Sequence, residues 1–315
     1  MKRLLKFILL IINIAIVATL LFSGYGGHFS PATSSLPGIA LMVFPVVLGS
    51  AVFLILFDLI TWRRLAFLPA FGILACASAV WNFCPLNFST PTLPEGSREF
   101  KVLTYNAYNF VNFSSKDSAG YNSTINTILN YDADVVCLQE SRPTDPAYWR
   151  DVAAQADSLT ACYPYRSHGH KSLHLLSKYP FDTIDVRQPD DPSAMFQCVR
   201  LNVDGTPVVL YNIHLQSIGL STDDKALYGS ITRHPTTDKL EDARYGMIAK
   251  LSAAMKARSH QAIMLRHNID SIGGSNIIVA GDFNDIEDCH AQRIIEGKTL
   301  ESTFTSVGFG PTVTY

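Results

Sequence analysis

The chain has 315 residues, 48% of them hydrophobic, and a mean hydropathy of +0.15, enough for one ordinary domain with an apolar appendage. Its net charge of −2 divides unevenly: residues 1–94 carry five basic and one acidic side chain, whereas residues 95–315 carry 20 basic and 26 acidic, a net of −6. That balance does not favour broad, sequence-independent DNA binding, which relies on Lys and Arg neutralising phosphates. The six cysteines show no C-x-x-C spacing, which excludes a cysteine-rich zinc module and reads as unpaired buried thiols.

Three apolar runs fill the first part, at about residues 4–22, 39–60 and 65–83. Each approaches the ~20 residues that a helix needs to cross a bilayer, so residues 1–84 are expected to form a membrane anchor of three transmembrane helices. The first run has the basic start of a secretory leader. However, Thr19-Leu20-Leu21-Phe22 lacks small cleavage-site residues and two more runs follow, so it reads as a retained anchor. Lys2, Arg3 and Lys6 precede the first run, Arg63 and Arg64 separate the second from the third, and residues 23–38 hold no Lys or Arg. The positive-inside bias then puts the N-terminus in the cytoplasm. Three crossings carry everything after about residue 84 outside, giving a multi-pass protein of the inner (cytoplasmic) membrane. Trp62 and Trp81 fall at interfacial depth, and residues 85–98 form a Pro-rich linker.

From residue 99 the texture becomes that of an α/β domain. Strands are expected at Phe100–Asn106, Val135–Leu138, Leu173–Leu176, Ala194–Val203, Val208–His214 and Ile277–Ala280. Asp204-Gly205 makes a hairpin turn between two of them. Helices are expected at about 117–131, 147–159 and 239–268, the last marked by Leu240, Ala243, Met247, Leu251, Met255, Ala262 and Leu265.

Polar groups stand at or just past the ends of four strands: Asn106, Glu140, His214, and the pair Asp282 and Asn284. Strand ends are where α/β folds gather ligand groups. A carboxylate there suits a hard divalent ion. An asparagine amide can donate to a phosphate oxygen without adding negative charge, and a histidine can move a proton or steady developing charge. Each residue alone has a plainer explanation as a turn cap, a loop residue or a half-buried histidine; the joint occurrence is the signal.

The segments Leu103-Thr104-Tyr105-Asn106, Asp134-Val135-Val136-Cys137-Leu138-Gln139-Glu140, Leu175-Leu176-Ser177-Lys178-Tyr179-Pro180, Asn212-Ile213-His214-Leu215 and Gly281-Asp282-Phe283-Asn284-Asp285 resemble, in order, the motifs of the endonuclease/exonuclease/phosphatase superfamily. The resemblance implies a four-layered α/β/β/α sandwich and a metal-dependent phosphoric ester hydrolase using Mg2+ or Mn2+. Glu140 would ligate the metal with Asn106 beside it. His214 would assist phosphate binding or the leaving group, Asp282 would orient or activate water, and Asn284 would hold a phosphate oxygen. The family pattern runs on past a Thr-Tyr like Thr314-Tyr315 to a terminal Asp-His pair, so residues 99–315 are expected to lack the C-terminal strands and to hydrolyse little. Asn212-Ile213-His214-Leu215-Gln216 resembles the sphingomyelinase-like branch. With the anchor and the acidic domain, it favours a phospholipid or small phosphodiester slightly over DNA. The bilayer is the one partner expected; no feature points to a protein partner. Two other expectations compete: an extracytoplasmic nuclease using Lys178, Arg200 and Arg244 on phosphates, and a non-catalytic binding protein that keeps the fold.

Overall fold

The computed structural model describes residues 2–89, 92, 94–110, 121–141, 153–167, 173–187, 195–219, 224 and 237–311. The expected starts of the helices at about 117 and 147, and of the strand at Ala194, lie outside those residues, as do Thr314 and Tyr315.

Two units divide the chain. One gathers Met1–Thr92, Ser217–Arg266 and Asp285–Tyr315; the other gathers Leu93–Gln216 and His267–Asn284.

In the first unit the opening run forms α1 (Lys2–Gly24). The second run is split into α2 (Leu36–Leu41) and α3 (Phe44–Thr61). Pro45 explains the restart, because a proline without an N–H is tolerated only in a helix's first turn. The third run does not form one helix, so the expected third span is corrected: it is broken into α4 (Phe67–Ala75) and α5 (Ala77–Phe83) at Cys76. No Pro or Gly marks the break in the sequence. The Tyr25 hydroxyl donates to the Ala75 carbonyl at 2.8 Å, and the Cys76 thiol donates to the Leu20 carbonyl at 3.5 Å. Side chains from α1 and the turn after it thus take up groups at the break, an arrangement known to kink helices. Among the described residues two helices, Arg3–Gly24 and Phe44–Thr61, are long and apolar enough to cross a membrane. Gly24 lies against Phe44 and Cys76, and Gly72 against Val17 and Leu20. Hence α3 runs antiparallel to α1, and the pair α4 and α5 returns alongside α1. The turn Gly26–His28 meets the segment after the last strand: a Cβ on Gly27 would collide with the Asp288 carbonyl, and the Gly27 carbonyl lies 3.2 Å from His290 Nδ1.

The second unit is a sandwich. Its strands are β1 (Val102–Asn106), β2 (Val135–Gln139), β3 (Tyr165–Arg166), β4 (His174–Ser177), β5 (Phe181–Arg187), β6 (Met195–Val203), β7 (Thr206–His214) and β8 (Ile277–Asp282). They form two sheets, ordered β1-β2-β4-β3 and β5-β6-β7-β8. Each sheet contains one parallel pair, β1 with β2 and β7 with β8. Alternation along β2 explains the layering. Val136 and Leu138 pack with Ile125 and Ile128 of α6 (Ser123–Tyr131) and Leu159 of α7 (Ala153–Cys162). Val135 and Cys137 face Val199, Leu201 and Leu210 of the other sheet. On that sheet's outer side, Tyr211 donates to Asn268, in the last turns of α8 (Thr237–Ile272), and Asn268 donates to Asp185. Asp204-Gly205 makes the expected two-residue turn with φ of 51° and 89°, the primed geometry that suits hairpin twist. Strands β3 and β5 are not among those the sequence predicts.

All six cysteines are free. Burial pushes the Cys137 thiol up to about 12 and the Cys198 thiol up to about 11, so both stay protonated through neutral pH. Maleimide labelling of the folded chain at pH 8 is expected to modify exposed Cys162 and to reach Cys137 and Cys198 only after denaturation; mass mapping of the labelled peptides checks this.

Candidate active site

Parallel pairing aligns strand ends. Asn106 of β1 registers with Gln139, so Glu140 follows at the same level, and His214 of β7 registers with Asp282 of β8. The Asn106 amide nitrogen donates to Glu140 Oε1 at 3.2 Å and to Asp282 Oδ2 at 2.9 Å. His214 Nε2 stands 3.7 Å from Glu140 Oε1 and 3.9 Å from Asp282 Oδ2, beyond hydrogen-bond range of both. Among the described residues neither ring nitrogen has a hydrogen-bond partner, although the side chain is only 10% exposed. A buried imidazole left unpaired beside two carboxylates is the kind of group that a bound water, ion or ligand would satisfy.

Asn284 closes the turn. Its backbone N–H donates to Asp282 Oδ1 at 2.8 Å, and its amide donates to the Leu215 carbonyl at 2.9 Å, leaving one amide hydrogen without a partner among the described residues. The backbone around the site is strained in the left-handed region. Glu140 has φ of 45° and Asn284 of 51°, and Tyr108, Asn109 and Phe110 follow one another at 42°, 54° and 54°. Such positions cost on the order of 1–3 kcal/mol each and cluster where function holds them. Gly281 has φ of 152°, and a Cβ there would strike the Ile213 carbonyl oxygen. This accounts for the glycine before Asp282, since β8 lies too close to β7 for a side chain.

The donor set fits a hard divalent ion. Two carboxylates and an amide converge, with oxygen ligands predominating. Asn106 as placed turns its nitrogen to the carboxylates, while its oxygen accepts from the Tyr108 N–H at 3.1 Å. Among the described residues no group of three or more His, Cys, Asp or Glu side chains encloses a metal. An ion here would rest on one or two carboxylates and complete its shell with water, as magnesium does.

A second polar layer lies beneath and was missed in the sequence. Gln139 donates to Asn212 Oδ1 at 2.7 Å, and Asn212 donates to the carbonyls of Leu138 at 3.2 Å and His174 at 3.0 Å. Ser141 and His174 Nδ1 are 2.8 Å apart. Gln139 and Asn212, both 1% exposed, therefore latch one sheet to the other directly below Glu140 and His214. Their place beside those residues in the Leu-Gln-Glu and Asn-Ile-His segments was the available signal. Asn212→Ala is expected to cost about 3 kcal/mol, because it removes three buried hydrogen bonds, the one from Gln139 and those to the Leu138 and His174 carbonyls. A melting shift on the order of 8 °C checks it.

Among the described residues, Lys178 and Arg200 do not reach the site. The Lys178 ammonium bonds to Asp132, before β2, at 2.7 Å. Arg200 registers with Val209, five residues before His214. At ~3.3 Å per residue, both lie roughly 17 Å along the strands from the site. Arg244 stacks on Tyr245, 4.9 Å from the ring centre.

No curated protein matches the sequence. Solved structures of similar shape include SmcL, at 15% identity and a TM-score of 0.37, covering 62% of this chain and 69% of that one. Another is a D. rerio TDP2 humanized by 14 mutations, at 16% identity and a TM-score of 0.37, covering 64% and 68%. A third is an endonuclease/exonuclease/phosphatase from Beutenbergia cavernae, at 20% identity and a TM-score of 0.36, covering 59% and 47%. Residues 6–83 match a domain of unknown function (DUF8431). Residues 103–315, which carry every side chain of the strand-end cluster, match the family model described as Endonuclease/Exonuclease/phosphatase family, and the chain belongs to that family.

Proposed function

We propose that this protein is a membrane-anchored, divalent-metal-dependent phosphoester hydrolase whose substrate is an extracytoplasmic phospholipid or small phosphodiester. Family members are typically hydrolases acting on phosphoesters. The observation that carries the reading is the unpartnered His214 ring set against Glu140 and Asp282 at the joined strand ends. Glu140 would hold Mg2+ or Mn2+, with Asn106 beside it tying Glu140 to Asp282. The Asn106 oxygen joins the ion only with the amide turned over and the Tyr108 bond given up. When bound, the ion supplies Lewis-acid stabilisation of phosphoryl charge. Asp282 orients the attacking water and accepts its proton. His214 donates toward the phosphate or the departing oxygen, and the spare hydrogen of Asn284 binds a phosphate oxygen.

For location, α4 and α5 bring the chain back to the end of the anchor opposite Lys2, Arg3, Lys6, Arg63 and Arg64. The positive-inside bias then supports an extracytoplasmic domain at the inner membrane. A phosphatase reporter fused after residue 95 is expected to be active outside the cytoplasm. Lys178 and Arg200 lie away from the site, so a lipid or small phosphodiester stands ahead of DNA. The test of function is turnover of bis-p-nitrophenyl phosphate by the full chain in detergent, followed by phospholipid vesicles, DNA and sugar phosphates. Weak turnover is expected; turnover that chelation does not abolish, or not even weak turnover with any divalent ion, would sink the reading.

A further inference from the structure

Within the anchor's unit, the segment after α5 meets the segment near residue 309. Leu86 pairs with Phe309 as an antiparallel bridge, and the Gly310 N–H donates to the Pro85 carbonyl at 2.8 Å. The Asn87 amide donates to the carbonyls of Thr305 at 3.2 Å and Gly308 at 2.8 Å, and the Trp81 indole N–H also donates to the Thr305 carbonyl, at 3.2 Å. The hydroxyls of Thr305 and Ser306 both turn back on the Ser302 carbonyl at 3.0 Å. Polar side chains are thus spent on backbone carbonyls, as they must be where water is scarce.

The apolar side chains do the opposite. Phe88 is 83% exposed, Phe309 64%, Val307 55%, Leu86 45% and Trp81 42%. Phe88 and Phe309 meet edge to face with ring centres 5.2 Å apart. Neither Cys84–Thr92 nor Ser302–Pro311 contains a charged residue. Large apolar side chains outward, no charge, and the Trp81, Asn87, Thr305 and Ser306 polar groups bonded to backbone carbonyls differ from an ordinary water-facing surface and suit the headgroup layer, where Trp and Phe bury a flat apolar body. The patch also continues the anchor: exposed Phe67, Phe71, Leu74 and Trp81 recur at helical spacing along α4 and α5 and lead to it.

We propose that Trp81, Leu86, Phe88, Val307 and Phe309 form a platform that seats in the interfacial layer of the same bilayer the anchor spans. This rests on the membrane reading of the anchor. It makes the anchor's unit lie on the membrane surface by two chain segments instead of hanging from one linker.

The test places a photoreactive benzophenone side chain at Phe309 or Phe88 of the full chain in native membranes. The same probe goes at Phe53 of α3, 65% exposed, and at Tyr165 of β3, 42% exposed, as the two controls. After irradiation and mass spectrometry, lipid adducts are expected at Phe309 and Phe88 as at Phe53, roughly tenfold above Tyr165, because an interfacial side chain is shielded from bulk water. Lipid at Phe53 with no adduct at Phe309 and Phe88 overturns the platform alone. A cross-link from those two positions to a second copy or to another protein segment does the same. No lipid at Phe53 overturns the membrane reading together with it. All the probed positions are exposed, so the replacements leave the core intact.

Discussion

Glu140→Gln is expected to lower turnover by about 10^3-fold and Mn2+ affinity by at least about tenfold, while the metal-free protein melts no lower than the parent. The turnover figure follows from losing several kcal/mol of metal-borne charge stabilisation, at 1.36 kcal/mol per tenfold. The stability sign follows from the site's geometry. Asn106 donates to both Glu140 and Asp282, and His214 stays beyond hydrogen-bond range of each, so among the described residues two carboxylates share one amide with no basic side chain bonded to either. Removing one charge relieves like-charge repulsion, and glutamine keeps an oxygen for the Asn106 bond. A residue retained for structure would move the other way and lower the melting temperature. His214→Ala separates roles further: turnover should fall ~10^2- to 10^3-fold as proton transfer is lost, with Mn2+ affinity nearly unchanged. Calorimetric Mn2+ titration, a melt in chelator and a turnover assay read all three quantities. Unchanged Mn2+ affinity in Glu140→Gln would remove Glu140 from the ion.

Much of this site was legible because strand ends announce themselves. Val-Val-Cys-Leu-Gln and Ile-Ile-Val-Ala-Gly are apolar runs that stop at a polar group, and parallel registry then does the assembling: Asn106 falls level with Gln139 and His214 with Asp282. What stayed hidden depends on partners distant in the chain. Gln139 and Asn212 are far apart in sequence, and nothing local says that a buried glutamine on one sheet answers a buried asparagine on the other. Strand β5 was passed over because Phe181-Asp182-Thr183-Ile184-Asp185-Val186-Arg187 mixes charge with apolar residues and carries a register shift between Thr183 and Asp185. The third apolar run looked like a full span because hydropathy sees composition alone. Its break at Cys76 coincides with the Tyr25 hydroxyl, fifty residues away from the carbonyl it engages. Asp285 read as one more polar residue of the Gly-Asp-Phe-Asn-Asp turn, yet its side chain is 7% exposed and paired with Arg258 of α8 at 2.9 Å.

That pair carries the largest stability effect. Arg258→Ala is expected to destabilise the anchor's unit by roughly 3–5 kcal/mol, because it leaves the Asp285 carboxylate charged and buried without its partner. Arg258 is among the largest fully buried side chains described, so truncation also opens a cavity in a packed interior. The Cys289 thiol offers no compensation: burial first, and the nearby Asp285 charge second, hold it well above its usual range, so it stays protonated. Asp285→Ala should also destabilise, by removing the buried carboxylate that accepts from the Arg258 guanidinium at 2.9 Å. The double variant Arg258→Met/Asp285→Leu should recover most of the loss, since similar apolar volume replaces both ions and their desolvation cost disappears together. Thermal melts of the four proteins in one detergent complete the cycle. If the double variant falls by the sum of the two single losses, Arg258 and Asp285 act independently and the assignment of a coupled buried pair fails.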